Sequence, residues 1–103
     1  MYTYNVTVKI EPSICAEWKQ WMQTEHIPEV LATGLFTSAN FKKLMEPFDE
    51  DGETYVAQYH TDSIGKYNNY IEIYAPKLRD KGFAKFGNKF IAFRSLVQEI
   101  ESF

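Results

Sequence analysis

A chain of 103 residues, 45% apolar and 24% charged, is long enough for one domain with its own core, so neither disulfides nor a structural metal is required. The 11 Lys and Arg against 14 Asp and Glu leave a net charge of −3, which offers polyanions no attraction and sets nucleic acid and anionic membranes aside as partners. One cysteine, two histidines without zinc spacing, no basic-then-apolar leader and no apolar run of bilayer length predict a cytoplasmic protein with no metal and no cofactor.

The first element is the clearest. Tyr2, Tyr4, Val6, Val8 and Ile10 alternate with Thr3, Asn5, Thr7 and Lys9, the pattern of a strand with one buried face. Pro12 ends it and Ser13 is placed to cap a helix. Ile14, Trp18, Trp21, Met22 and Glu25 then step at three and four residues, predicting a helix from Ser13 to Glu25. Pro28 disfavours helical backbone at Ile27, so a break is expected near His26, followed by a short helix through Val30, Leu31 and Ala32 that Gly34 closes.

A second strand is expected within Leu35 to Met45, with Leu35, Ala39, Phe41 and Met45 on one parity. The acidic, turn-rich run Glu46 to Gly52 reads as a hairpin loop, and Glu53 to His60 as the third strand. Asp62 or Ser63 offers a cap for a second helix, whose stripe is Ile64, Tyr67, Ile71, Tyr74 and Leu78; Pro76 should kink it and Gly82 end it. Phe90 to Ile100, rich in β-branched and aromatic residues, reads as the fourth strand.

The order βαββαβ predicts an α+β, ferredoxin-like domain over residues 1–103: a four-stranded antiparallel sheet, strands one and three central, with two helices on one face. The opposite parity then gathers Asn5, Thr7, Lys9, Ser38, Asn40, Lys42, Gln58, His60 and Arg94, with Phe36, Val56 and Leu96 among them. Such a face is either simply solvated or pairs with that of a second copy to form a dimeric α/β barrel around a chamber. The 17% aromatic content and the lack of charge runs favour the dimer.

Three segments carry a resemblance. Trp18, Trp21, Met22, His26, Ile27, Pro28, Val30, Leu31, Ala32, Thr33, Gly34 and Phe36, then Tyr55 to Tyr59 and Phe90 to Leu96, look like the pattern of a small uncharacterised bacterial family, domain of unknown function 4286. The resemblance implies a ferredoxin-like chain similar to the dimeric α/β-barrel proteins, among them cofactor-free monooxygenases, isomerases and stress-response proteins, and it implies no established activity or catalytic residue.

Candidate chemistry rests on few side chains. His26, in a last helical turn, could act as acid or base, or simply bond a carbonyl there. Arg94 could grip a carboxylate or phosphate in two prongs, or pair with an acidic neighbour. His60, Gln58 and Asn5 are placed to line the chamber, although a strand-end histidine is commonly exposed. Of Trp18 and Trp21 one is expected in the core and the other at an interface, where Trp21 could stack on a planar ligand. Cys15 reads as an inert thiol, and Lys77, Arg79, Lys81, Lys85 and Lys89 as the solvated end of a helix. The readings that follow are a cytoplasmic homodimer binding a small anionic or aromatic molecule between its sheets, a cofactor-free monooxygenase or isomerase using His26, or a structural interaction module.

Overall fold

Alternation in the first segment is realised as β1 (Tyr2–Ile10), with Tyr4, Val8 and Ile10 buried. A computed structural model describes residues 1–103. Strands β2 (Ser38–Lys43), β3 (Glu53–Thr61) and β4 (Phe90–Gln98) complete one sheet in the order β2-β3-β1-β4, with every pair antiparallel. The expected βαββαβ topology is therefore present, and the central strands are β1 and β3.

Two helical arms cover one face. The first runs through residues 15–32 as α1 (Cys15–Trp21), a wide π turn (Met22–His26) and α2 (Ile27–Ala32). The second runs through residues 64–86 as α3 (Ile64–Asn69), a π turn (Tyr70–Tyr74) and α4 (Ala75–Phe86). Each π turn closes on an i to i+5 hydrogen bond, from Ile27 N–H to Met22 O and from Ala75 N–H to Tyr70 O. Trp18 and Met22 from the first arm and Tyr70, Leu78 and Phe86 from the second meet Tyr4, Val8, Tyr55 and Tyr59 of the sheet in one core.

Several expectations need correction. Pro28 does not break the first arm: Ile27 keeps φ −61 and ψ −45, and the proline sits in the first turn of α2, where its missing N–H is not needed. Ser13 caps nothing, because a 3-10 turn (Pro12–Ile14) precedes α1 and no side-chain cap bond forms. Gly82 does not end the second arm, which runs on to Phe86 and closes at Gly87 with φ +63. At Gly82 the helix instead passes close to Trp21, 3.5 Å from where a Cβ would stand. Gly34, with φ +76, does follow the first arm as expected. Phe36 precedes β2 and is buried in the core, not displayed on the opposite face.

The parity of β4 is the correction with functional weight. Its register pairs Val6 with Arg94 and Tyr4 with Leu96, while Thr7 faces Phe93 and Asn5 faces Ser95. Arg94 and Leu96 therefore stand on the helix side of the sheet, one residue out of phase with the expectation. Phe90 to Ser95 carries apolar side chains on both parities, so periodicity alone could not set that phase.

Candidate functional site

The corrected register divides the six candidate residues between two faces. Asn5, Gln58 and His60 lie on the open face, whereas His26, Trp21 and Arg94 meet on the helix side. No single chamber can hold both sets, because the sheet separates them.

On the open face the polar side chains satisfy one another. Gln58 Nε2 donates to Asn5 Oδ1 at 3.1 Å. His60 spans two strands, its Nδ1 2.9 Å from Thr3 Oγ1 and its Nε2 2.7 Å from Asn40 Oδ1. Asn40 Oδ1 can only accept, so the imidazole donates from Nε2 and accepts the Thr3 hydroxyl at Nδ1. Beside this network β4 exposes an apolar stripe: Ile91 is 62% exposed, Phe93 74% and Val97 50%.

On the helix side a half-open cleft separates the arms from β4. Its volume is about 60 Å³. The floor is Val6 and Val8 of β1 with Ala92 and Arg94 of β4, and Tyr59 of β3 closes one end. Trp21, Met22 and His26 form the wall from the first arm; Leu78, Arg79, Gly82 and Phe83 form the wall from the second. Gly82 keeps the arms close without filling the cleft. Of the two tryptophans, Trp18 is core at 3% exposure and Trp21 lines the opening.

The π turn at Met22–His26 directs His26 into this cleft, where its ring stacks on Trp21 with centroids 4.8 Å apart. As a residue His26 is half-buried, yet its Nδ1 is shielded and has no hydrogen-bond partner. Burial pulls its pKa from 6.5 to about 4; Glu29 opposes this, and the charges of Arg94 and Lys81 add to it. The imidazole is neutral near pH 7. The Tyr59 hydroxyl is likewise buried and unpartnered, and burial raises its pKa. Both are polar atoms left unsatisfied at an apolar wall, which is costly unless something binds there.

Sequence reasoning missed Arg79 and Tyr59. Arg79 was read with a solvated lysine cluster, but its guanidinium is half-buried and donates to the Tyr4 hydroxyl at 3.2 Å. The available signal was its place one residue after Leu78, on the flank of the buried stripe. Cys15 meets Glu53 Oε2 at 3.1 Å, and burial followed by that carboxylate raises its pKa, as suits an unreactive thiol. No group of three or more His, Cys, Asp or Glu side chains is gathered closely enough to hold a metal ion.

A four-stranded antiparallel sheet covered on one face by two helices, in this strand order, defines a ferredoxin-like α+β protein. The chain belongs to the family described as Domain of unknown function (DUF4286), whose profile matches residues 1–100. No curated protein matches it. Among solved structures it is similar to an ethyl tert-butyl ether D (EthD) family protein from Bacillus halodurans C-125, at 12% identity and TM-score 0.66, over 97% of this chain and 100% of that one. It is also similar to a dimeric ferredoxin-like protein from an uncultured marine organism, at 14% identity and TM-score 0.67, over 100% and 98% of the two chains. A de novo designed protein with a ferredoxin fold matches at 17% identity and TM-score 0.53, over 99% and 90%. No helix is long and apolar enough to cross a membrane.

Proposed function

We propose that this chain is a homodimeric cytoplasmic protein that binds a small molecule, and that the ligand occupies the cleft under β4 instead of a chamber between two sheets. The observation that carries this reading is the pair of shielded, unpartnered polar atoms, His26 Nδ1 and Tyr59 Oη, on two residues that line the same apolar cleft. Native mass spectrometry of freshly purified protein tests it, since it reports subunit number and any co-purified molecule together. A mass equal to bare polypeptide, with no small molecule able to perturb Trp21, would defeat it.

Self-association is supported by the exposed stripe of Ile91, Phe93 and Val97, continuous with the satisfied polar network on the open face. A second copy is the occupant that fits, because the stripe is apolar, lies beside neutral polar groups and repeats on an identical face. The dimeric nature of one structural relative points the same way. Phe93→Asp should yield monomers in light scattering; a dimer of unchanged strength would remove this face from the proposal.

A second reading is an isomerase or monooxygenase without cofactor, using His26 as general base. The neutral, shielded imidazole favours it. A pKa near 4 weighs against it, because a base so far below neutral pH drives proton abstraction poorly. Turnover of a found substrate that disappears in His26→Gln would reinstate it.

A further inference from the structure

We infer that the ligand of the cleft is a small carboxylate with a flat apolar body; the inference rests on the cleft being a binding site. The chain has only two arginines, Arg79 and Arg94, and both line this cleft. Neither is paired with a carboxylate. All five ion pairs in the molecule are made by lysines, namely Lys9, Lys43, Lys66, Lys81 and Lys85. No Asp or Glu lines the opening, although the chain as a whole carries an excess of acidic residues. Two guanidinium groups without a carboxylate partner therefore stand together at one opening of a protein of net charge −3.

A guanidinium matches a carboxylate in planar, two-pronged fashion, which a lysine cannot do. Arg79 uses one nitrogen on the Tyr4 hydroxyl and keeps its other donors free. The hydroxyl of Tyr59, on β3, is a further donor without an acceptor, shielded beside the cleft. Donors thus outnumber acceptors around the opening, so the complement is an acceptor-rich anion. The walls set the rest of the ligand. Trp21, Phe83 and Phe90 offer flat apolar surfaces, which suit a flat apolar body.

The test uses benzoate, its neutral isostere benzamide, and inorganic phosphate, each titrated into the full chain while the indole N–H of Trp21 is followed by NMR. Benzoate is expected to shift the signal with at least roughly tenfold higher affinity than benzamide, a gap of about 1.4 kcal/mol. Arg94→Gln, a change at an exposed edge-strand position, should erase most of that preference. Equal affinity for benzoate and benzamide, unaltered in Arg94→Gln, overturns the anion inference and leaves the cleft as a binding site. Displacement of benzoate by phosphate at similar concentration overturns the carboxylate class. A Trp21 signal that none of the three probes moves overturns both readings.

Discussion

The imidazole of His26 lies nearly flat on the indole of Trp21, with planes 23° from parallel. Burial holds this titratable ring in its neutral form, and the sign of the resulting pH effect follows. The unfolded chain takes up the proton first, near pH 6.5, whereas the folded chain resists until about pH 4. Acidification across that window therefore favours unfolding, and the stability present at pH 7 is lost progressively, by at most roughly 3 kcal/mol. Glu53, held down to about 2 by Tyr55, Cys15 and Lys43, adds to that loss only as the pH falls below its ordinary 4.5. Urea unfolding at pH 7 and pH 5 should show a drop in the wild type and a much smaller one in His26→Leu; equal drops would refute the assignment.

Two glycines should respond to alanine with opposite signs. At Gly82 a Cβ would make ordinary contact with Trp21 at 3.5 Å, so Gly82→Ala should gain about 0.5–1 kcal/mol from helix propensity. It should also narrow the cleft. At Gly52 a Cβ would fall 2.5 Å from the Ile10 carbonyl oxygen, a backbone atom that cannot step aside. Gly52→Ala should cost about 2 kcal/mol. Thermal denaturation of the two variants would decide, and a loss at Gly82 would mean that the approach to Trp21 is tighter than it stands here.

Helix capping offers a second paired comparison. The Ser63 hydroxyl accepts the Lys66 N–H at 3.2 Å, so Ser63→Ala should cost about 1 kcal/mol. Ser13 makes only a 3.5 Å contact with Glu11 at the surface, and Ser13→Ala should change stability by less than about 0.5 kcal/mol. Equal losses in chemical denaturation would count against this description of the two helix starts.

Cys15 should react slowly with a disulfide reagent at pH 8, because burial and the neighbouring Glu53 carboxylate both disfavour the thiolate. Glu53→Gln should accelerate the reaction in the folded state. Unchanged kinetics would show that access alone, and not charge, controls the thiol.

Element order was legible because β1, β3 and the loop Glu46 to Gly52 carry unambiguous period-two and turn patterns. The phase of the second arm was not. A uniform step of about 100° per residue assigns Tyr74 to the core, yet Tyr74 is 40% exposed and the buried pair is Tyr70 and Ala75. Those two are five apart, the spacing of the π turn that a three-four template does not contain. The site was half legible for a similar reason. His26 and Trp21 are local to one helix, whereas Arg94 and Tyr59 reach them only through strand register, which a mixed run such as Phe90 to Leu96 leaves open.

The wide turns have a consequence for relatives of this chain. Ile14, Trp18, Met22, His26 and Val30 recur at intervals of four, a spacing that winds about 40° further around an ordinary helix at every step. One surplus residue at Met22–His26 absorbs that winding, so the imidazole stays in line with the side chains above and below it. A homologue one residue shorter ahead of its proline would swing a different side chain into the opening, and a gap at that point in an alignment would mark a relined cleft, not a neutral trimming.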